Sequence, residues 1–409
     1  MTKILLILFE LGFIITFNIV GTISLSELFL IVSSVYYLPK INFRNKDISE
    51  LTKLYLFLLV AQILSEFFVS NDLNNALKGL AITVVSFLHV MFLYSYLKKD
   101  CRLVIYCIIG IIMRLILAGD LLGDESVGSV GDSQFVFLLK FYGVPIVYNT
   151  LLILTIIKSK WRVEVIFISL GLLFIGLGAR SGGMILFLAG AIYYLIISKK
   201  SLGIKSYTPI IVAGFFVLMG GYFFYVNKVL SGEITSGNSE QLLRLENPYN
   251  PVNLLMTGRT ETFVGAVAFM DNPLTGWGAW AEDPDWKYHI LGQTIGSKGE
   301  IKSFDMVNVI PSHSVLIGSG MQNGIFALLA MLSIFIFTIK RAVYSIKAMD
   351  IYSLFLVGYL LDFCWISMFS PLSHFRLTLP LIMVFILVRF QKNRYKERVE
   401  ISQKTAIND

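Results

Sequence analysis

Arg180, Arg259 and His313 are the residues of this chain whose type and setting best suit anion binding and proton transfer. Arg180 lies in Gly178-Ala179-Arg180-Ser181-Gly182-Gly183, a tight link between two apolar runs, where a guanidinium is costly unless it reaches water or an anion. Ser181 is placed to cap the following helix, which would leave helix N-terminal amides beside the arginine, a combination suited to phosphate oxygens. The plainer reading of Arg180 is an interfacial side chain held by lipid headgroups. Arg259 opens a short helix in Gly258-Arg259-Thr260-Glu261-Thr262, and its plainer reading is a surface ion pair with a carboxylate such as Glu261. His313, in Ile310-Pro311-Ser312-His313-Ser314, stands before an apolar run. An imidazole, with an ordinary pKa near ~6.5, suits proton transfer or a hydrogen bond to phosphate, although a helix-entry histidine also serves simply as an interfacial side chain.

Other ionisable residues are less specific. His89 falls in the middle of an apolar run, His289 in a polar loop, and His374 beside Arg376 between the last two apolar runs. Asp362 and Arg114 fall within apolar runs and should face the interior of a bundle, marking a cavity or a pairing partner. Glu10, Glu27 and Glu66 sit near the ends of such runs and are expected to be solvated. Trp277, Trp280 and Trp286 offer flat apolar faces for sugar rings, but tryptophan also anchors loops at a membrane interface, and that is the plainer reading. Cys101, Cys107 and Cys364 leave the large loop without cysteine, which argues against a disulfide scaffold or a cysteine zinc site. There is no nucleotide-binding glycine loop, zinc spacing or serine nucleophile elbow.

The elements that must position these residues are membrane helices. Hydrophobic residues make up 56% of 409 positions and charged residues 15%, more apolar surface than a soluble domain of this size can hide. A ruler of about 20 apolar residues per span marks runs near 4–21, 23–38, 54–70, 79–97, 103–119, 135–157, 163–179, 182–198, 208–226, 314–339, 351–369 and 377–391. The first run has no small-residue cleavage pattern and reads as a retained span. With a cytoplasmic N-terminus, each even-numbered run is followed by a basic segment, from Lys40, Arg44, Lys46 and Lys53 to the tail with Lys392, Arg394 and Lys396. The opposite links are poor in positive charge or acidic, as in Asp120, Asp124, Glu125 and Asp132. That alternation obeys the positive-inside rule and explains the net charge of +7 without nucleic acid. The chain thus reads as an all-α polytopic integral membrane protein of about twelve transmembrane helices with both termini cytoplasmic. Residues 1–226 would hold nine spans, 227–312 one large extracytoplasmic loop, 313–391 three further spans and 392–409 a basic tail. The loop carries ten acidic and six basic residues. Its Gly, Pro and Trp content predicts irregular structure packed by its own side chains. Within it, Phe263, Val264, Val267 and Met270 at helical spacing before Asn272-Pro273 predict a short amphipathic helix over Thr260–Asp271, suited to lying along the membrane surface.

Three separated segments together resemble the O-antigen polymerase and O-antigen ligase superfamily of bacterial envelope glycosyltransferases. They are Gly178 to Gly183, then Gly258-Arg259 through Asn272-Pro273-Leu274-Thr275-Gly276-Trp277-Gly278, then Ser312-His313-Ser314 leading to Gly320 and Asn323-Gly324. The family's usual asparagine after the histidine is Ser314 here. The resemblance implies a GT-C-type fold and metal-independent, cofactor-free transfer of a glycan from undecaprenyl diphosphate on the outer face of the bacterial inner membrane. It implies that Arg180 and Arg259 engage the diphosphate and that His313 lies at the reacting centre, with Glu261 a second candidate base. Trp277, His374 and Arg376 are further candidates for substrate contact. The partners implied are an undecaprenyl diphosphate-linked oligosaccharide, the bilayer, and a chain-length regulator and flippase of one polysaccharide or lipopolysaccharide pathway, with no nucleic acid.

The leading expectation is a polymerase that transfers glycan to a lipid-linked repeat unit. A ligase transferring to lipid A core is the alternative. A secondary transporter also suits many spans with Asp362 and Arg114 at membrane depth, but no hydropathy repeat accompanies them. A non-catalytic assembly or sensor protein would use the loop as a binding surface.

Overall fold

The computed structural model describes residues 1–18, 21–69, 71–118, 137–157, 162–198, 219–220, 222–233, 242–243, 245, 247–295 and 308–408. The apolar runs become helices: α1 (Thr2–Leu11), α2 (Leu25–Tyr37), α3 (Lys46–Val69), α4 (Leu73–Leu97), α5 (Val104–Ala118), α6 (Val144–Ile157), α7 (Val163–Gly176) and α8 (Arg180–Ser198). After the long interruption come α9 (Pro251–Gly258), α10 (Thr260–Asp271), α11 (Lys287–Ile295), α12 (Val315–Ile346), α13 (Ser353–Phe369), α14 (His374–Leu377) and α15 (Leu379–Asn408). α3, α4, the stretch Leu139–Ile157 that includes α6, and α12 are each long and apolar enough to cross a membrane, and α7, α8 and α13 are shorter apolar helices. Along α3, Leu56, Phe57, Val60, Ile63, Leu64, Phe67 and Phe68 are exposed while Leu51, Tyr55, Leu58 and Ala61 are buried. An exposed face this apolar is stable only against lipid, so the chain is a helical membrane protein.

Several expectations are corrected. The run at 4–21 is not one helix: α1 passes through a tight turn at Gly12–Ile14 into a two-stranded antiparallel hairpin, β1 (Thr16–Asn18) and β2 (Thr22–Ser24). The β-branched and Gly residues around Thr16, Ile23 and Gly21, with Gly21 at φ 79°, favour the hairpin over a continued helix. The last apolar stretch and the basic residues that follow it form one helix, α15, unbroken to Asn408. Glu10, Glu27 and Glu66 are not solvated but buried, with 2%, 1% and 8% of their surface exposed. Each has a compensating partner. Glu10 lies 3.6 Å from Arg114 across α1 and α5, the pairing anticipated for an arginine at membrane depth. Glu27 closes a capping box with Ser24 and pairs with Arg376 at 2.6 Å. Glu66 is the centre of the loop attachment described below. Removing Arg114 would strand the Glu10 carboxylate, and Arg114→Ala is expected to cost about 3–5 kcal/mol of stability, read as a lower thermal midpoint in detergent.

Glycine permits the closest helix approaches. A Cβ at Gly171, Gly183 or Gly190 would collide with the backbone of the facing helix in the α7–α8 hairpin, and one at Gly182 would meet the Val144 side chain of α6. The glycines of the Arg180 motif therefore seat α8 against two neighbours. α13 packs on both α8 and α12, which brings the second half of the bundle together around the candidate residues. The run at 208–226 and the acidic stretch at 120–132 lie wholly or largely outside the described residues.

Candidate functional site

The helix expected over Thr260–Asp271 is present with those bounds as α10. Asn250 caps α9 by accepting from Val252 N at 3.0 Å, with Pro251 at the first helical position. α9 and α10 meet at Arg259, whose non-helical backbone (φ −136°, ψ 36°) turns one helix into the next. This corner swings Arg259 away from solvent towards the end of α13. Its guanidinium carbon stands 4.9 Å from the Trp365 ring centroid and 5.7 Å from that of Phe369, and Nη1 donates towards the Phe369 carbonyl at 3.5 Å. Burial in this aromatic bracket pushes the Arg259 pKa down, opposed by the neighbouring Glu261 carboxylate. The rings hold the half-buried guanidinium by cation–π contact beside the Glu261 carboxylate, a setting suited to a further anion.

Glu261, in the first turn of α10, points to the start of α12. Its Oε2 lies 2.6 Å from His313 Nδ1, while Thr262 Oγ1 donates to the His313 carbonyl at 2.9 Å. The surface ion pair foreseen for Glu261 and Arg259 thus becomes an acid–histidine pair beside an arginine. Ser314 caps α12 by accepting from Ile317 N at 3.1 Å, and its hydroxyl also donates to Ser367 O of α13 at 3.3 Å. Ser314 therefore has a positional role at the start of α12. Gly265 of α10 and Gly318 of α12 make room for the Ser312 hydroxyl, which is buried and has no hydrogen-bond partner among the described residues.

Arg180 begins α8, so Ser181 lies in its first turn and is not its cap. The Arg180 guanidinium hydrogen-bonds the Tyr225 hydroxyl and lies 4.7 Å from that ring's centroid. Tyr225 belongs to a small cluster of Tyr222, Val226, Val229, Leu242 and Leu254, and Leu254 is on α9, the helix that ends at Arg259. Arg180 and Arg259 are thus joined through one packed cluster and through α13, against which α8 also lies.

The other candidates sit apart. Arg376 is engaged by Glu27 and by the Thr22 carbonyl at 3.3 Å, and its own carbonyl lies 2.9 Å from Nδ1 of the buried His89. His374 Nδ1 lies 3.1 Å from Thr378 Oγ1. Arg376 ties α14 to β2, α2 and α4, whereas the His374 bond is local to the end of α14. Trp277 is half-buried and donates its indole N–H to Ala268 O at 2.7 Å, with its ring edge-on to Tyr288 at 5.7 Å. It pins the loop to α10.

The segment around Trp277 contains what residue-by-residue reading missed. α12 leaves helical geometry at Asn323 (φ −128°) and Gly324 (φ 74°). The carbonyls freed by that break are taken up by the loop: Trp277 N donates to Met321 O at 2.9 Å, Gly278 N to Gln322 O at 2.8 Å, and in return Ile325 N to Pro273 O at 2.8 Å. Glu66, at the end of α3, locks the junction. Its Oε1 accepts from Ala279 N at 2.8 Å and Asn323 Nδ2 at 3.2 Å, and its Oε2 from Asn71 Nδ2 at 2.8 Å. A broken helix at membrane depth is stable only when the released backbone is satisfied by protein, which is what residues 273–279 supply. A Cβ at Gly276 or Gly324 would overlap the opposing backbone, and both glycines have positive φ. Gly324→Ala is therefore expected to cost about 3 kcal/mol or more and to lower the yield of folded protein in the membrane, whereas Gly176→Ala, where a Cβ meets nothing, should be tolerated.

Among the described residues no group of three or more His, Cys, Asp or Glu is arranged to hold a metal ion. No protein-family model matches the chain, and no curated protein matches it.

Proposed function

We propose that the chain is a twelve-span membrane glycosyltransferase of GT-C type that polymerises a surface polysaccharide, transferring glycan from undecaprenyl diphosphate to a lipid-linked repeat unit on the outer face of the bacterial inner membrane. The observation that carries this reading is the 2.6 Å contact between His313 Nδ1 and Glu261 Oε2, built beside an arginine held in an aromatic bracket. The Glu261 carboxylate on Nδ1 orients the ring and favours the tautomer in which Nε2 accepts the proton of an acceptor hydroxyl. The hydroxyl oxygen then forms a bond to the anomeric carbon, the bond from that carbon to the phosphate oxygen breaks, and the lipid diphosphate leaves with the electron pair. Arg259 and Arg180 stabilise the charge that develops on it. The basic residues that follow alternate apolar runs support an orientation with these groups on the outer side, where the repeat unit would be presented.

Deletion of the gene in its own host tests the reading. The expected result is loss of the ladder of surface-polysaccharide chain lengths, leaving at most one repeat unit. A normal ladder would contradict it, while free lipid-linked polymer that no longer reaches lipid A core would identify a ligase instead.

A further inference from the structure

Four non-glycine residues in the described chain have positive φ, and Trp280 (55°), Asp285 (51°) and Trp286 (58°) all fall within one short turn of the outer loop. A bulky residue in this region is disfavoured, and such conformations persist where the surroundings impose them, typically at ligand-binding sites. The surroundings here are specific. Trp280 packs against the main hydrophobic core and anchors the turn to the bundle. Asp283 is buried (1% exposed) and accepts from Tyr288 N at 3.0 Å and His289 N at 2.8 Å, while its Oδ2 also lies 2.6 Å from His289 Nδ1. The His289 ring is thereby fixed, with Nε2 its remaining polar atom, and the half-buried Trp286 indole stands 5.0 Å from it at an angle of 66°.

The unit is braced by its neighbours. The buried Tyr288 ring packs with Val264, Ala268 and Met321, and its hydroxyl donates to Asp271 at 2.7 Å. Lys287 pairs with the same carboxylate at 2.6 Å, and the two partners hold the Asp271 pKa below the usual range. Ile310 N donates to Ala281 O at 3.0 Å, so the turn is joined at Ala281 to the stretch of chain that leads on to His313. An indole face beside a fixed imidazole is the pairing that recognises a sugar ring: the apolar face of the ring lies on the indole and a hydroxyl meets the imidazole nitrogen.

We propose that Trp286 and His289, fixed by Asp283 and by the left-handed backbone, form a carbohydrate subsite that holds a sugar ring of the repeat unit. This rests on the polymerase reading for the source of the sugar, but its test does not need catalysis. The probe is the oligosaccharide released by mild acid from the host's lipid-linked repeat unit, titrated by saturation-transfer NMR onto the full chain in lipid nanodiscs. The wild type should bind it, Trp286→Ala about tenfold more weakly, His289→Ala several-fold more weakly, and Trp286→Phe within about threefold of wild type, while each variant binds sugar-free undecaprenyl diphosphate as the wild type does. No binding by the wild type, or equal binding by Trp286→Ala and wild type, overturns the subsite. Loss of both ligands together in Trp286→Ala, with Trp286→Phe also impaired, would mark Trp286 as a structural anchor and overturn it equally. Sugar binding by a chain that makes no polymer would retain the subsite and remove the polymerase reading, and normal polymerisation with Trp286→Ala unchanged in affinity would do the reverse.

Discussion

His313→Ala is expected to lower polymer formation by about two to four orders of magnitude, the range that a positioned general base contributes, while the protein still accumulates in the membrane. The expectation of intact folding has a structural basis: the contacts that fix this turn are made by the His313 carbonyl to Thr262 and by Ser314 to Ile317 and Ser367, none of which uses the imidazole. Glu261→Gln should have a smaller effect in the same direction, because the amide can still orient Nδ1 but no longer stabilises the imidazolium formed when the acceptor proton arrives. Single-turnover assays on preloaded lipid-linked donor separate this from binding. If His313→Ala makes chains at the wild-type rate, the base is elsewhere.

The arginines should produce the second large effect. Arg259→Ala is expected to reduce turnover by about two to three orders of magnitude, as removal of one preorganised donor to a developing anion does elsewhere. Arg259→Lys should recover little of it. A point-charge ammonium neither spreads over the Trp365 and Phe369 rings nor offers two parallel N–H groups to a diphosphate. Arg180→Ala should behave alike, and Arg180→Lys should also be impaired, because the Tyr225 contact uses the guanidinium plane. The measurement is retention of radiolabelled undecaprenyl diphosphate together with polymer length. Wild-type chain lengths from Arg180→Ala would remove its diphosphate role.

The parts of this arrangement that local chemistry dictates were legible in the residues themselves. The α10 bounds follow from helical spacing of Phe263, Val264, Val267 and Met270 and from the Asn272-Pro273 stop. Burial of His89 and a partner for Arg114 follow from the cost of charge and polarity at membrane depth. What escaped depends on distant pairing. Glu66 looks like a solvated helix-end carboxylate until Ala279 and Asn323 are brought to it from 213 and 257 residues along the chain. Arg376 is likewise paired with a residue far away in sequence, Glu27. Trp277, whose plainer reading is an anchor at the membrane interface, pins the loop to α10 through its N–H to Ala268 O. The subsite at Trp286 was visible only as an aromatic residue, because backbone strain at Trp280, Asp285 and Trp286 has no signature in residue type.

The Glu66 junction carries a further expectation. Breaking it by Glu66→Ala leaves the Ala279 amide and the Asn323 side chain without their acceptor, and the loop that supplies Arg259 and the neighbour of His313 loses its fixed end. The outcome should be faster amide exchange at residues 273–279 and 321–325 and a stability loss of several kcal/mol, since each stranded buried group costs about 1–3 kcal/mol. Unchanged exchange at residues 273–279 would show that the attachment is held by other contacts.

The most direct test of the central claim is polymerisation by the purified chain alone, reconstituted in liposomes with undecaprenyl diphosphate-linked repeat units and resolved by glycan length on a gel. The account predicts a ladder of products from the wild type, with release of undecaprenyl diphosphate in step with each added repeat, and no ladder from His313→Ala or Arg259→Ala. Unextended repeat units after incubation with folded wild-type protein, or a ladder undiminished in both variants, would contradict it.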